Sequence, residues 1–146
     1  MRRNARVPAR RIRGFTFIEI VVAIAIIAIL ATVVVPRVIG RVGEARVARA
    51  KSDVQALRTA LDTYKLDNFN YPSTDQGLQA LINKPGGQPE AANWKQTLDA
   101  LPKDPWGRDY QYLSPGQHGE LDVYSLGKDG QPGGEGEDAD IGNWTG

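Results

Sequence analysis

The sequence contains no cysteine and only one histidine, His118. Without cysteine the chain forms no disulfides and offers no thiolate ligands, so a small exported domain would need another stabilising element. His118 lies in a turn rich in glycine and has no nucleophile motif beside it, and no glycine-rich phosphate loop follows a strand. We therefore expect that the protein is not an enzyme.

Acidic residues are absent from the first 14 positions, which carry six arginines. These are Arg2, Arg3, Arg6, Arg10, Arg11 and Arg13. A basic segment before an apolar run is typical of a membrane-orientation signal and predicts a cytoplasmic N-terminus. A nucleic-acid-binding protein would spread lysine and arginine over its folded part, among aromatic residues, so we do not expect a nucleic acid partner.

Residues 15–35 form an apolar run of 21 residues with a single charge, Glu19. As a helix this run would be about 30 Å long, enough to cross a bilayer. The alternative is a cleaved signal peptide. The run exceeds the usual apolar region of about 7–15 residues, and Val33-Val34-Val35-Pro36 offers no cleavage site of small residues. These two features favour a retained anchor that ends near Pro36.

The segment Gly14-Phe15-Thr16-Phe17-Ile18-Glu19 resembles the processing site of type IV pilin-like proteins. The resemblance implies that a prepilin peptidase cleaves after Gly14 and that Phe15 becomes the methylated first residue of the mature chain. Residues 1–14 would then be a cleaved leader, and residues 15–36 a helix for membrane storage and assembly. The glutamate at the fifth mature position of that family corresponds to Glu19.

Glu19 has a physical reason to take part in assembly. In the first turn of a helix its charge faces the positive end of the helix dipole. Unpaired at membrane depth it would cost a few kcal/mol, and the free amine of Phe15 in a neighbouring copy would neutralise it. The alternative is that Glu19 lies in the headgroup region, where its cost is small. The motif favours the assembly role.

After the apolar run, helical spacing of apolar residues continues up to Leu66. The stripe comprises Ala50, Val54, Leu57, Leu61 and Tyr64. Neither glycine nor proline interrupts residues 45–66, so we expect one long helix whose second half packs on the rest of the chain.

Shorter elements are expected beyond that helix. Short helices are predicted at residues 73–82, where Ser73 and Gln76 form a capping box, and at residues 91–101. Alternating residues predict two antiparallel strands, at 110–113 and 121–126.

Five carboxylates follow within twelve residues, separated by glycines. They are Asp129, Glu135, Glu137, Asp138 and Asp140. Calcium takes six to eight oxygen ligands from flexible loops, whereas magnesium needs stricter geometry and zinc prefers histidine or cysteine. A solvated acidic tail is the alternative. Ile141 and Trp144 look like anchors that return the loop to the body, and these residues alone leave the two alternatives equally open.

A second resemblance favours calcium. Asp104-Pro105-Trp106-Gly107 and the stretch from Ser125-Leu126-Gly127 to Trp144 resemble the major pseudopilins of the type II secretion system. The resemblance implies an α+β pilin-like fold, with a long N-terminal helix on a small domain of short helices, an antiparallel sheet and a calcium loop. It also implies that calcium is the cofactor. The ligands would be the Leu126 carbonyl and Asp129, completed from among Glu135, Asp138 and Asp140.

The expected function is that of the structural major subunit of a periplasmic pseudopilus, which polymerises to drive export of folded proteins across the outer membrane. Expected partners are copies of itself, minor pseudopilins, an inner-membrane assembly platform, the prepilin peptidase and, before assembly, the membrane. The subunit would cross the bacterial inner membrane once, with residues 37–146 as a periplasmic domain. One alternative is a major type IV pilin, although the paired C-terminal cysteines usual in such pilins are lacking. The other is a calcium-dependent binding module on a signal anchor.

Overall fold

The structure, a computed structural model, describes residues 14–145, without the side chains of residues 33–39. Of the predicted leader, residues 1–14, all but Gly14 therefore lie outside the described residues. The chain divides into two compact units, Met1–Ile39 and Gly40–Gly146.

The dominant element is α1 (Phe17–Asn68), a helix of 52 residues. It continues through position 36, where a proline was expected to end the membrane segment. The side chains from Phe15 to Thr32 are exposed. In the part of the chain that the structure describes, no helix is both long enough and apolar enough to cross a membrane. The predicted membrane segment, residues 15–36, includes positions 33–36, whose side chains lie outside the described residues.

The core of the second unit forms on the predicted stripe of α1. Every stripe residue is at most 2% exposed, which confirms the prediction: Ala50, Val54, Leu57, Leu61 and Tyr64. Packed in the same core are Leu78, Leu81, Tyr110, Tyr112, Leu121 and Val123. Helical periodicity therefore places one face of α1 against residues that lie far along the chain.

The first predicted short helix is largely wrong. The capping box does form, since Gln76 N donates to Ser73 Oγ at 3.2 Å and Ser73 N donates to Gln76 Oε1 at 3.0 Å. Helical geometry then stops at Gly77, whose φ of 60° lies in the left-handed region. Only a single 3₁₀ turn, Leu78–Leu81, forms after this glycine.

The second predicted helix, residues 91–101, is wrong. This segment is irregular, and three of its donors bond to carbonyls of the preceding 3₁₀ turn. Trp94 Nε1 donates to the Ala80 carbonyl at 2.7 Å, and the amides of Thr97 and Leu98 donate to the Leu81 carbonyl at 2.9 and 3.1 Å.

The described sheet contains three antiparallel strands in the order β1 (Gln111–Leu113), β2 (Asp122–Ser125), β3 (Ile141–Gly142). The predicted strands at 110–113 and 121–126 are confirmed as the antiparallel pair β1 and β2, each slightly shorter than expected. The strand β3 is an addition to the prediction. It pairs with the other edge of β2 and begins directly after the acidic segment, so the sheet holds both ends of that segment.

Candidate functional site

Gly14, Phe15 and Thr16 form a non-helical segment just before α1. Phe15 is 85% exposed, and a Cβ built on Gly14 would meet no heavy atom within 4 Å. Exposed, irregular backbone is the kind that proteases bind and cleave. The bond between Gly14 and Phe15 is thus accessible in this structure, as the predicted processing requires.

Glu19 is already paired within its own chain. Its Oε2 accepts hydrogen bonds from the Thr16 amide at 2.7 Å and the Thr16 hydroxyl at 2.9 Å, and the Glu19 amide donates to Thr16 Oγ1 at 3.3 Å. This is a capping box at the start of α1. The spacing Thr-x-x-Glu is the sequence signature of this capping box, which was not predicted. Glu19 therefore helps to begin the helix, whatever it does between subunits.

We call the acidic segment between β2 and β3, residues 126–140, the acidic loop. It curls back on itself through backbone hydrogen bonds. The Lys128 amide donates to the Glu137 carbonyl at 2.8 Å, and the Asp140 amide donates to the Gly133 carbonyl at 3.0 Å. The Gly133 amide in turn donates to Asp140 Oδ2 at 2.9 Å. A solvated tail would lack these closures, so the segment forms a defined loop.

The predicted calcium ligands occupy different environments within this loop. Asp129 is exposed, and its Oδ1 accepts a hydrogen bond from the Gln131 amide at 3.0 Å. Glu135 is exposed, whereas Leu126, Asp138 and Asp140 are half-buried. Among the described residues, no three acidic, histidine or cysteine side chains are grouped so that they could hold a metal ion. The ligand set therefore stays a prediction.

Asp140 provides the observation that bears on a cation. Its Oδ1 is buried and has no hydrogen-bond partner, which is unusual because burying an unsatisfied carboxylate oxygen is unfavourable. A calcium ion accepts backbone carbonyls as well as carboxylates, so it does not require three converging acids. The candidate ligand atoms of the loop are all hard oxygens, which suit calcium better than a thiophilic metal.

Glu137 is the acid of the loop that was not predicted as a ligand. Its carboxylate lies against Gly43 of α1, where a Cβ would overlap it. Gly43 is buried although it sits on a helix, because the loop covers it. Glu137 therefore contacts α1, and its omission from the ligand set stays a prediction.

A buried polar network joins the two motifs that carry the second resemblance. Asp104 Oδ2 accepts a hydrogen bond from Ser125 Oγ at 2.8 Å, and both residues are buried. Asp104 Oδ1 accepts from the amides of Trp106 and Arg108, at 3.1 and 2.8 Å, which closes the Asp-Pro-Trp-Gly turn. Ser125 Oγ also accepts from the amide of Gly127 at 3.2 Å. This turn therefore supports the start of the acidic loop.

Arg108 reaches from that turn to the loop. Its Nη2 donates to the carbonyls of Gly127 and Lys128, at 2.6 Å in each case. Arg108 and Asp104 were not predicted as site residues. The motif Asp-Pro-Trp-Gly indicates a turn, but nothing local in it indicates contacts with residues about twenty positions away.

The lone histidine has a structural role. His118 stacks on Trp144, with ring centroids 3.9 Å apart and an interplanar angle of 12°. Its Nδ1 lies 3.0 Å from Oδ2 of the buried Asp122. Burial raises the pKa of the neighbouring Tyr124, and the charges of Asp140 and Asp122 raise it further. Trp144 thus anchors the chain after the loop, as predicted, and His118 is its partner.

Comparisons with known proteins agree with both resemblances. Residues 37–144 match the family described as type II secretion system (T2SS), protein G, and residues 9–35 match the prokaryotic N-terminal methylation motif. The type II secretion system core protein G of Pseudomonas aeruginosa is 56% identical over 137 residues, covering 92% of this chain and 96% of that protein. The protein of the same name from Vibrio cholerae is 54% identical over 138 residues, covering 93% of this chain and 94% of that protein.

The fold has a close counterpart among solved structures. The major pseudopilin from the type 2 secretion system of enterohaemorrhagic Escherichia coli superposes with a TM-score of 0.66 at 49% identity. The match covers 77% of this chain and 98% of that one. These findings confirm the predicted pilin-like α+β fold, a long helix with a small antiparallel sheet, but not the calcium loop that was part of the prediction. They also support the pseudopilin prediction over a major type IV pilin and over an anchored binding module. The relatives are named as secretion-system proteins and not as enzymes. The chain belongs to the protein G family of the type II secretion system.

Proposed function

We propose that this chain is the major structural subunit of a type II secretion pseudopilus and that its polymerisation drives export of folded proteins across the outer membrane. The observation that carries the proposal is the junction of two matches in one chain. An N-terminal methylation motif at residues 9–35 runs directly into a protein G domain at residues 37–144. The first supplies processing and a helix for packing, and the second supplies the head.

Before assembly, the subunit is held in the inner membrane by residues 15–36, with its N-terminus in the cytoplasm and residues 37–146 in the periplasm. The basic residues before Gly14 support this orientation. A prepilin peptidase removes residues 1–14 and leaves methylated Phe15 at the new terminus. The exposure of Phe15 and of the peptide bond before it supports this step.

Assembly then packs the exposed apolar face of α1 against other copies. In the first unit, large apolar side chains such as Ile24, Ile27 and Ile29 are more than 60% exposed. Contact between so large an apolar surface and water is unfavourable, which favours packing against other copies. When one face of a subunit contacts a different face of the next, the array stays open and grows as a helix. Minor pseudopilins and an inner-membrane assembly platform are the expected partners at its ends.

The test is restoration of export in a bacterium that lacks its own protein G. We expect the full chain to restore export, with a mature product whose mass begins at methylated Phe15. A Gly14→Arg variant, altered only at the cleavage site, should retain the leader and fail to restore export. Restoration by an unprocessed chain would contradict the proposal, and so would a processed chain that leaves export absent.

Calcium binding by the acidic loop is part of this proposal. The residues that would hold the ion are Leu126, through its carbonyl, with Asp129 and members of the set Glu135, Asp138 and Asp140. Bound there, calcium would cross-link the beginning and the end of the acidic loop, in a domain that has no disulfides. The buried, unpartnered Oδ1 of Asp140 supports it.

Calcium removal tests this part directly. A ligand that binds only the folded state raises its melting temperature. We expect EGTA to lower the melting temperature of the full chain in detergent micelles, and excess calcium, but not excess magnesium, to restore it. An Asp140→Asn variant should lose most of the calcium-dependent difference, whereas Asp75→Asn, on an exposed turn, should keep it. Equal melting temperatures of the wild-type chain with and without EGTA would contradict calcium binding.

A further inference from the structure

Arg108 contacts both of the residues that separate two predicted calcium ligands. Its Nη2 donates to the carbonyl oxygens of Gly127 and Lys128, each at 2.6 Å. The residues on either side of this pair are Leu126 and Asp129. Arg108 therefore holds two of the three peptide groups that connect these predicted ligands along the chain.

The amides of the same pair are also bonded. The Gly127 amide donates to Ser125 Oγ at 3.2 Å, and the Lys128 amide donates to the Glu137 carbonyl at 2.8 Å. Both carbonyls and both amides of the pair thus have protein partners. Backbone that is satisfied in this way has little freedom to rearrange locally. We call residues 126–129 the first limb of the acidic loop.

The backbone from which the Arg108 side chain extends is itself held in place. The Arg108 amide donates to the buried Asp104 at 2.8 Å, which fixes the turn from which the side chain extends. On the loop side, Gly130 passes over the guanidinium at a φ of 69°. A Cβ at Gly130 would lie 2.9 Å from both Cζ and Nε of Arg108. The glycine therefore permits a close approach that any side chain would obstruct.

The second limb of the loop, residues 133–140, has a different kind of support. Its hydrogen bonds join Gly133 to Asp140 and Glu135 to Asp138, which are all residues of the loop itself. It also holds the unpartnered Oδ1 of Asp140. One limb is thus hydrogen-bonded to a side chain from outside the loop. The hydrogen bonds of the other limb join residues of the loop, and its Glu137 side chain lies against Gly43 of α1.

We propose that Arg108 is a positioning residue for the calcium loop, which sets the first limb before the metal binds. The inference rests on the proposed calcium binding. Because the first limb is already ordered, calcium binding does not have to restrict its conformational freedom. Arg108 therefore raises the affinity for calcium. Its positive charge opposes calcium through repulsion. A lysine at this position keeps the charge, but its ammonium ends one bond short of the position of Nη2 and cannot reach both carbonyls from the same backbone. The substitution therefore separates the two effects.

The test is a calorimetric calcium titration of the full chain in detergent micelles. We expect Arg108→Lys to raise the dissociation constant about tenfold or more, because the repulsion stays and the ordering is lost. Lys103→Gln is the matched control. It removes an exposed charge beside the same turn, where Lys103 pairs with Asp109, and should change the constant less than twofold.

The possible outcomes distinguish the role of Arg108 from calcium binding itself. A wild-type chain that binds calcium and an Arg108→Lys variant with the same dissociation constant would overturn the role of Arg108 alone. A wild-type chain that takes up no calcium would overturn calcium binding, and the inference with it.

Hydrogen exchange on the wild-type chain tests the same idea without any variant. In EGTA, the amides of Gly127 and Lys128 should already exchange slowly, since the first limb is ordered without metal. The amides of Gly133 and Asp140 should gain protection when calcium is added. Fast exchange at Gly127 and Lys128 in EGTA would contradict a preformed limb, even if the Arg108 variants do not fold.

Discussion

Ser125 Oγ lies 2.8 Å from Asp104 Oδ2, and the two buried side chains connect the strand before the acidic loop to the Asp-Pro-Trp-Gly turn. Ser125 Oγ also accepts the Gly127 amide, so one hydroxyl serves both partners. A chain without cysteine cannot fasten these segments by a disulfide. Buried hydrogen bonds to a carboxylate serve the purpose, since bonds to charged groups are roughly twice as strong as neutral ones.

The first prediction concerns this hydroxyl. Ser125→Ala removes the donor to Asp104 Oδ2 and the acceptor of the Gly127 amide. We expect the free energy of unfolding to fall by about 2–3 kcal/mol, because buried polar groups lose their partners. Thermal unfolding of the full chain in detergent micelles measures it. Ser52→Ala, at an exposed position of α1, is the control and should change stability by about 0.5 kcal/mol or less. Equal effects of the two variants would contradict a role for the network.

The second prediction compares two glycines with left-handed backbone. Gly107 has a φ of 89° with open space where a Cβ would be, whereas Gly127 has a φ of 65° and its Cβ would lie 2.7 Å from the backbone oxygens of Asp138 and Ala139. Gly107→Ala should cost about 1 kcal/mol, the conformational strain alone. Gly127→Ala adds overlap with fixed backbone and should cost about 3 kcal/mol or more.

Chemical unfolding of both glycine variants provides the measurement. Addition of calcium should recover little stability in Gly127→Ala, because the overlap pushes apart the two limbs that the ion would join. Similar losses in the two variants would show that the loop does not pack against Gly127 in solution.

The third prediction is a pH dependence. Burial raises the pKa of Tyr112 from 10.0 to about 12, and its hydroxyl donates to the Pro72 carbonyl at 2.8 Å. The unfolded chain loses this proton near pH 10, while the folded chain keeps it until about pH 12. The free energy of unfolding should therefore be unaffected by this group below pH 10 and fall by about 2–3 kcal/mol as the pH rises from 10 to 12.

Tyr112→Phe isolates that contribution. The variant should be less stable at neutral pH, because it lacks the hydrogen bond to Pro72. It should also lose less stability than the wild-type chain between pH 10 and pH 12, as the phenyl ring does not titrate. Lysines and the other tyrosines contribute equally to the pH dependence of stability in both chains, so they do not affect the comparison. Parallel stability curves across this window would contradict the raised pKa.

The long helix and its packing face follow from sequence because both depend on a local pattern. Apolar residues at helical spacing, with no glycine or proline across residues 45–66, leave no competing structure. The strands β1 and β2 follow in the same way from alternation. The capping box at Ser73 and Gln76 is equally local, and it forms even though the helix after it does not continue past Gly77.

The remaining features depend on contacts between distant residues. The segment at residues 91–101 has helical composition, but the carbonyls of Ala80 and Leu81 take its donors. The strand β3 is two residues long, too short for any alternation to show. The hydrogen bonds from Arg108 to the acidic loop join residues 19 and 20 positions apart, and no local sequence pattern predicts such contacts.

The assembly role predicted for the charge of Glu19 can be tested separately from the capping box that Glu19 forms with Thr16. Glu19→Gln keeps a side chain that can complete a capping box but removes the charge. Thr16→Ala removes the cap hydroxyl and keeps the charge. Glu19→Arg reverses the charge. If charge governs assembly, both Glu19 variants should fail and Thr16→Ala should assemble.

The most direct measurement is the yield of filaments, seen by electron microscopy, from cells that produce each variant with the prepilin peptidase, together with export in the same cells. We predict abundant filaments and export for the wild-type chain, and neither for Glu19→Arg. Filaments and export at wild-type levels from Glu19→Arg would contradict it.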